Sequence, residues 1–152
     1  MYLENNNSLH PHSMLRAPVV CGFTTREAGD MTNREKRDAF FKSIRFHPNN
    51  VYWQHQTHGT SVTVLGGNEP ITVESDASVL PYSANVAGKS LTVHVADCVP
   101  ILFWDQKTGM IAVAHSGWRG TLGGICGNTI RTMTQQGALT SSIHVIIGPH
   151  IR

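Results

Sequence analysis

The stretch from Ile101 to Ala114 limits the fold most. Two apolar runs, Ile101–Trp104 and Met110–Ala114, flank the polar, glycine-ended connection Asp105-Gln106-Lys107-Thr108-Gly109. A connection of that length between strand-like runs makes a hairpin, and a hairpin is antiparallel. A doubly wound sheet of parallel strands, each joined to the next by a long crossover, is therefore disfavoured.

Around this hairpin the pattern alternates between strands and helices. Val19–Thr25 reads as a strand, and Thr32-x-x-Glu35 as a capping box opening a helix to about Phe46. Ala39, Phe40 and Ile44 form its expected buried stripe, and Pro48 stops it. Val51–Gln56 and Ser61–Leu65 read as strands either side of a turn at Gly59, and Asp76–Leu80 as a short extended piece. Leu91–Val95 alternates like a strand that runs into Asp97-Cys98. From Gly120 to Gln136, Leu122, Ile125, Cys126, Thr129, Ile130 and Met133 keep helical spacing, with Gly137 as the stop. Gly123, Gly124 and Gly127 weaken that helix by about 1 kcal/mol each relative to alanine. Glycines kept on a helix face point to a backbone packed close by. Ile143–Ile147 is the last strand. The expectation is a flexible lead-in over residues 1–17, then one α+β domain over 18–152, a mixed sheet sandwiched by helices.

Composition closes off several functions. At 40% hydrophobic and 14% charged residues the chain of 152 is globular rather than disordered. A net charge of +2 gives no electrostatic case for nucleic acid. No run approaches the ~20 apolar residues of a membrane helix. Three cysteines, an odd number, fit reduced thiols in the cytoplasm better than a disulfide scaffold.

Three chain segments end in soft or borderline metal donors: His58 after one strand, Cys98 after a second, His115 at the end of a third. Two imidazoles and a thiolate suit zinc, and three protein ligands with an open fourth place are the catalytic pattern. The separations of 40 and 17 residues form no local motif, so only the fold can bring the three together. Taken singly, Cys98 reads as a small buried hydrophobe and each histidine as a hydrogen-bonded turn residue. Gly117-Trp118-Arg119-Gly120 reads either as a tight turn with a packed Trp118 or as a helix start that cradles an anion, with Arg119 as its fork. The other histidines, His10, His12, His47, His55, His94, His144 and His150, are taken as surface or structural.

Six blocks occur in order: Gly22-Phe23-Thr24-Thr25-Arg26-Glu27, Gln56-x-His58-Gly59, Asp76-Ala77-Ser78-Val79, Ala96-Asp97-Cys98-Val99-Pro100, His115-Ser116-Gly117-Trp118-Arg119-Gly120 and Ile147-Gly148-Pro149. Together they resemble the YfiH/YlmD-type family, also called polyphenol oxidase or laccase-domain proteins and related to FAMIN. The resemblance runs from about Val20 onward. It implies an α/β sandwich like that of the cytotoxic necrotizing factor deamidases, a cysteine hydrolase fold. It also implies zinc on His58, Cys98 and His115. The implied substrates are purine nucleosides with phosphate: phosphorolysis of adenosine, inosine, guanosine and methylthioadenosine, and deamination of adenosine. Cys98, His115 and Asp97 would then be catalytic; Arg119 and Arg26 would bind phosphate, and Gln56 would orient substrate.

Two residues depart from the family pattern: Cys21 stands where a histidine is usual and His94 where arginine is common. Family members also continue past Gly-Pro, so a C-terminal truncation is expected, with an exposed apolar sheet face that would prompt homo-oligomers. The rival readings are a metal-free hydrolase with Cys98 as nucleophile and His115 as base, a copper oxidase, and an inactive homologue.

Overall fold

The structure, a computed structural model, describes residues 2–5, 8–11, 19–69, 72–83 and 86–151. The chain forms two compact units, Met1–Asn50 and Val51–Arg152.

In the first unit, strands β1 (Tyr2–Asn5), β2 (Ser8–Pro11) and β3 (Phe23–Thr24) pair antiparallel in that order. The stretch expected as a loose lead-in thus holds two strands; His12–Ala17 lie outside the described residues. The strand expected over Val19–Thr25 shrinks to β3. Helix α1 (Arg34–Ser43) is capped by Asn33, whose side chain accepts from the Lys36 N–H at 3.1 Å. The N-cap is therefore one residue later than expected, and Lys36 at the third helical position closes no capping box: the Thr32 hydroxyl donates instead to Asp30 at 2.6 Å. The helix also ends earlier than Phe46, and Ala39 is exposed rather than part of a buried stripe.

The second unit holds β4 (Val51–His55), β5 (Val62–Val64), β6 (Thr72–Glu74), β7 (Ala77–Leu80), β8 (Ser90–Leu91), β9 (Val99–Asp105), β10 (Ile111–Ser116), α2 (Trp118–Leu122), α3 (Ile125–Gln135) and β11 (Ile143–Ile147). Its main sheet has the order β11-β9-β10-β7-β5. The β9–β10 hairpin lies at its centre with Ile101 opposite Ala114 and Trp104 opposite Ile111. All pairings are antiparallel except β5 with β7, so the sheet is mixed. A smaller parallel sheet has the order β6-β4-β8.

Alternation along each strand divides the main sheet into two faces. Ala77, Val79, Ile101, Phe103, Ala112 and Ala114 turn one face towards Ile125 and Met133 of α3. Leu80 and Ile111 turn the other towards Tyr52, Leu65 and Val86. Full burial of a side chain such as Phe103 or Met133 contributes about 1.5–3 kcal/mol. Helices therefore cover one face of this sheet, and the other meets the smaller sheet rather than a second helical layer.

The helix expected over Gly120–Gln136 is two helices. Gly124 adopts φ +82°, a left-handed conformation that ends the first and caps the second. Gly137, at φ +100°, closes α3 as expected: its N–H donates to Thr134 O and the Ala138 N–H to Met133 O, both at 3.0 Å. The strand expected over Leu91–Val95 is cut to Ser90–Leu91. Beyond it the side chain of Gln56 takes the place of a neighbouring strand, donating to His94 O at 2.8 Å and accepting from His94 N at 2.7 Å.

Candidate metal centre

β4 leaves the small sheet at His55 and enters a turn over Thr57-His58-Gly59. That turn is built on a carboxylate from elsewhere in the chain. Asp76 Oδ2 accepts from Gly59 N at 2.7 Å, Thr57 Oγ1 at 3.0 Å and Thr57 N at 3.3 Å; Oδ1 accepts from His58 N at 2.9 Å. His58 is held at φ +61°, a left-handed conformation that is strained for a residue with a side chain.

The second imidazole arrives on β10. His115 is 2% exposed and stands opposite Pro100 of β9. Its Nδ1 lies 2.9 Å from Asp76 Oδ1, and its backbone N–H donates to Asp76 O at 2.7 Å. Cys98, half-buried, directly precedes β9, so the register that places His115 also brings the thiol to the same end of the hairpin.

The three side chains converge. The donor atoms of His58, Cys98 and His115 all lie within 4.8 Å of one another, and the two imidazoles meet edge to face with centroids 4.7 Å apart. Gly117 completes the enclosure: a Cβ there would lie 3.2 Å from both Cys98 Sγ and His58 Cδ2. Two imidazoles and a thiol, converging beside a backbone with no side chain, form a donor set that fits a borderline metal such as zinc.

Asp76 is fully buried. Burial pushes its carboxyl up, but hydrogen bonds from His115, Gly59, Thr57 and His58 outweigh this and hold it below the usual carboxylate range. Sequence reasoning placed Asp76 only within a motif and gave it no role. The available signal was an acid immediately before Ala77–Leu80, a strand buried at every position; a carboxylate there must find partners.

The remaining predicted site residues are placed differently. Asp97 is exposed, and its carbonyl accepts from Ile151 N at 3.2 Å. Arg119, also exposed, holds its guanidinium 5.2 Å from the centroid of the Trp118 ring, and Trp118 is 69% exposed rather than packed as core. Gln56, expected to orient substrate, has its amide engaged with the backbone of His94. Arg26 belongs to a 3₁₀ turn of the first unit and is exposed. Of the two departures, His94 stacks on Trp53 with centroids 4.9 Å apart, and burial pushes the Cys21 thiol to about 11. Burial also raises Cys126, so neither is an activated thiol. Among the described residues no helix is long and apolar enough to cross a membrane.

Comparisons with known proteins agree in kind. The family model described as multi-copper polyphenol oxidoreductase laccase matches residues 21–152. A purine nucleoside phosphorylase of Deinococcus radiodurans is 32% identical over 91% of this chain and 60% of its own length. An adenosine deaminase from an unknown prokaryotic organism is 34% identical over 63% of this chain and 38% of its own. The crystal structure of the YfiH protein of Bacillus licheniformis superposes with a TM-score of 0.85 at 19% identity, over 99% of this chain and 65% of that one, a likeness of fold. The chain thus spans less than two thirds of the length of each of these proteins.

Proposed function

This chain belongs to the YfiH/YlmD-type family, that of the multi-copper polyphenol oxidoreductase laccase model, and on that premise we propose that it is a zinc-dependent purine nucleoside phosphorylase that also deaminates adenosine. The observation that carries the reading is the convergence of His58, Cys98 and His115, with Asp76 behind them. The printed names of two relatives, a purine nucleoside phosphorylase and an adenosine deaminase, supply the substrate class.

His58, Cys98 and His115 hold the metal. Zinc, when bound, supplies Lewis acidity and makes water acidic enough to ionise near neutral pH. In phosphorolysis an oxygen of phosphate bonds to C1′ of the ribose, the bond from C1′ to the purine nitrogen breaks, and the departing base takes up a proton. Arg119 is exposed two residues beyond Gly117, and its planar fork takes phosphate oxygens. Asp97, exposed and next to Cys98 in the chain, is assigned the role of accepting from a substrate hydroxyl or amine. Gln56 serves the site indirectly, by holding the segment that leads to Cys98. Adenosine, inosine, guanosine and methylthioadenosine are the substrates to offer, and the cytoplasm is the compartment in which the thiol stays reduced.

One observation favours a second reading. Asp76, His115 and Cys98 follow the order of orienter, base and nucleophile, the arrangement of a thiol hydrolase. Phosphate-dependent release of adenine from adenosine separates the two. The first reading expects release that requires phosphate, stops with chelator and is absent in Cys98→Ala. Iodoacetamide-sensitive hydrolysis that ignores both phosphate and chelator would establish the second instead.

A further inference from the structure

We propose that Asp76 is the positioning residue of the metal centre: one carboxylate oxygen fixes both histidines, so the site stands assembled before any metal arrives. The proposal rests on the metal-binding reading above and deepens it.

Asp76 Oδ1 lies 2.9 Å from the backbone N of His58 and 2.9 Å from Nδ1 of His115. These two residues come from different elements, a turn after β4 and the end of β10. No other group among the hydrogen bonds of the site touches both. Oδ2 meanwhile accepts from Thr57 and Gly59, so beside the imidazole the carboxylate meets donors alone among the described residues. With donors on both of its oxygens, the carboxylate serves as acceptor throughout. The proton between Asp76 and His115 is therefore on the imidazole Nδ1. In neutral His115 this leaves the Nε2 lone pair free for a metal, and it prevents the ring from turning about its bond to Cβ.

For His58 the same carboxylate acts through the main chain. Three successive N–H groups, those of Thr57, His58 and Gly59, converge on it. They hold His58 in its left-handed conformation, φ +61°, against the strain this costs. Without the carboxylate the turn loses the acceptor that compensates for the strain, and His58 is free to relax away from Cys98 and His115. Groups that orient a metal ligand in this way typically change metal affinity by about 10–100-fold when removed.

Asp76→Asn is the test, with cobalt(II) as the probe. The variant keeps the shape of the side chain but turns an amide donor towards groups that already donate. In the chelator-stripped full chain, nitrogen-15 NMR of the imidazoles reads the tautomer, and the thiolate absorption of bound cobalt reads affinity. The expected result is His115 protonated at Nδ1 in the wild type and cobalt binding weakened about 10–100-fold in Asp76→Asn. Thr57→Val, which removes only the hydroxyl donor to Oδ2, is expected to keep the His115 tautomer. His115 protonated at Nε2 in the wild type, or wild-type cobalt affinity in a folded Asp76→Asn, overturns the proposal. Should Asp76→Asn not fold, the wild-type tautomer decides alone. A wild type that binds no cobalt yet shows the Nδ1 tautomer contradicts the zinc reading and leaves Asp76 as the orienter of His115.

Discussion

A Cβ on Gly117 would crowd two of the metal donors' side chains, standing 3.2 Å from Cys98 Sγ and 3.2 Å from His58 Cδ2, so that both would have to shift by a few tenths of an ångström. Gly117 has φ −70° and ψ 169°, which any residue adopts, so the need for glycine is spatial and not conformational. Gly117→Ala therefore tests the site with little direct backbone strain. Overpacking of this kind costs about 1–3 kcal/mol. The expected outcome is zinc affinity lower by about tenfold, the equivalent of ~1.4 kcal/mol, with a melting temperature only a few degrees below wild type. Competition with a chromophoric chelator and a thermal melt check the two halves.

Two glycines of the helical layer should respond with opposite sign. A Cβ on Gly120 would meet the carbonyl oxygen of Gly59 at 2.8 Å, a backbone atom in the very turn that carries His58. Gly120→Ala should destabilise the fold by about 1–3 kcal/mol and loosen metal binding as well. Gly127, inside α3, meets nothing within 4 Å. Gly127→Ala should stabilise by about 0.5–1 kcal/mol, because alanine restricts the unfolded chain and favours the helix. Urea denaturation of both variants against wild type measures this.

Asp105 predicts a pH dependence away from the metal centre. It is buried at the β9–β10 turn, where it accepts from the Thr108 hydroxyl at 2.6 Å and from Lys107 N at 3.2 Å. Burial raises its carboxyl, but the Ser142 and Thr108 side chains and the backbone N–H groups of Lys107 and Thr108 lower it further, so it sits below its ordinary value. A carboxyl lowered in the folded state adds stability that is complete above its unfolded value, about 3.9, and is lost as pH falls through the folded one. The stability difference between wild type and Asp105→Asn should be constant above about pH 5 and shrink below about pH 4. Denaturation curves over that range check it; a difference independent of pH would contradict it.

How much of this was legible in the sequence depended on how local the cause was. The β9–β10 hairpin was, because turn residues and alternation both sit within the segment. So was the end of α3, where Gly137 supplies its left-handed stop. The break between α2 and α3 was not. The apolar spacing runs on through Gly123 and Gly124, and the left-handed conformation of Gly124 does not disturb that periodicity. Leu91–Val95 alternates like a strand, but the ladder with β4 stops at the Tyr52–Leu91 pair, and further along the Gln56 side chain takes both backbone groups of His94. Asn33 and Thr32 are both able caps, and one hydroxyl bond to Asp30 decided between them. At the site, the donor types of His58, Cys98 and His115 could be read, but their meeting depends on strand register. Asp76 was missed for the same reason: its partners lie 17 to 39 residues away.

Zinc content of the purified chain tests the central claim most directly. The account predicts close to one zinc ion per chain in the wild type and almost none in a folded Cys98→Ala. Zinc retained at the wild-type ratio in that variant would contradict it.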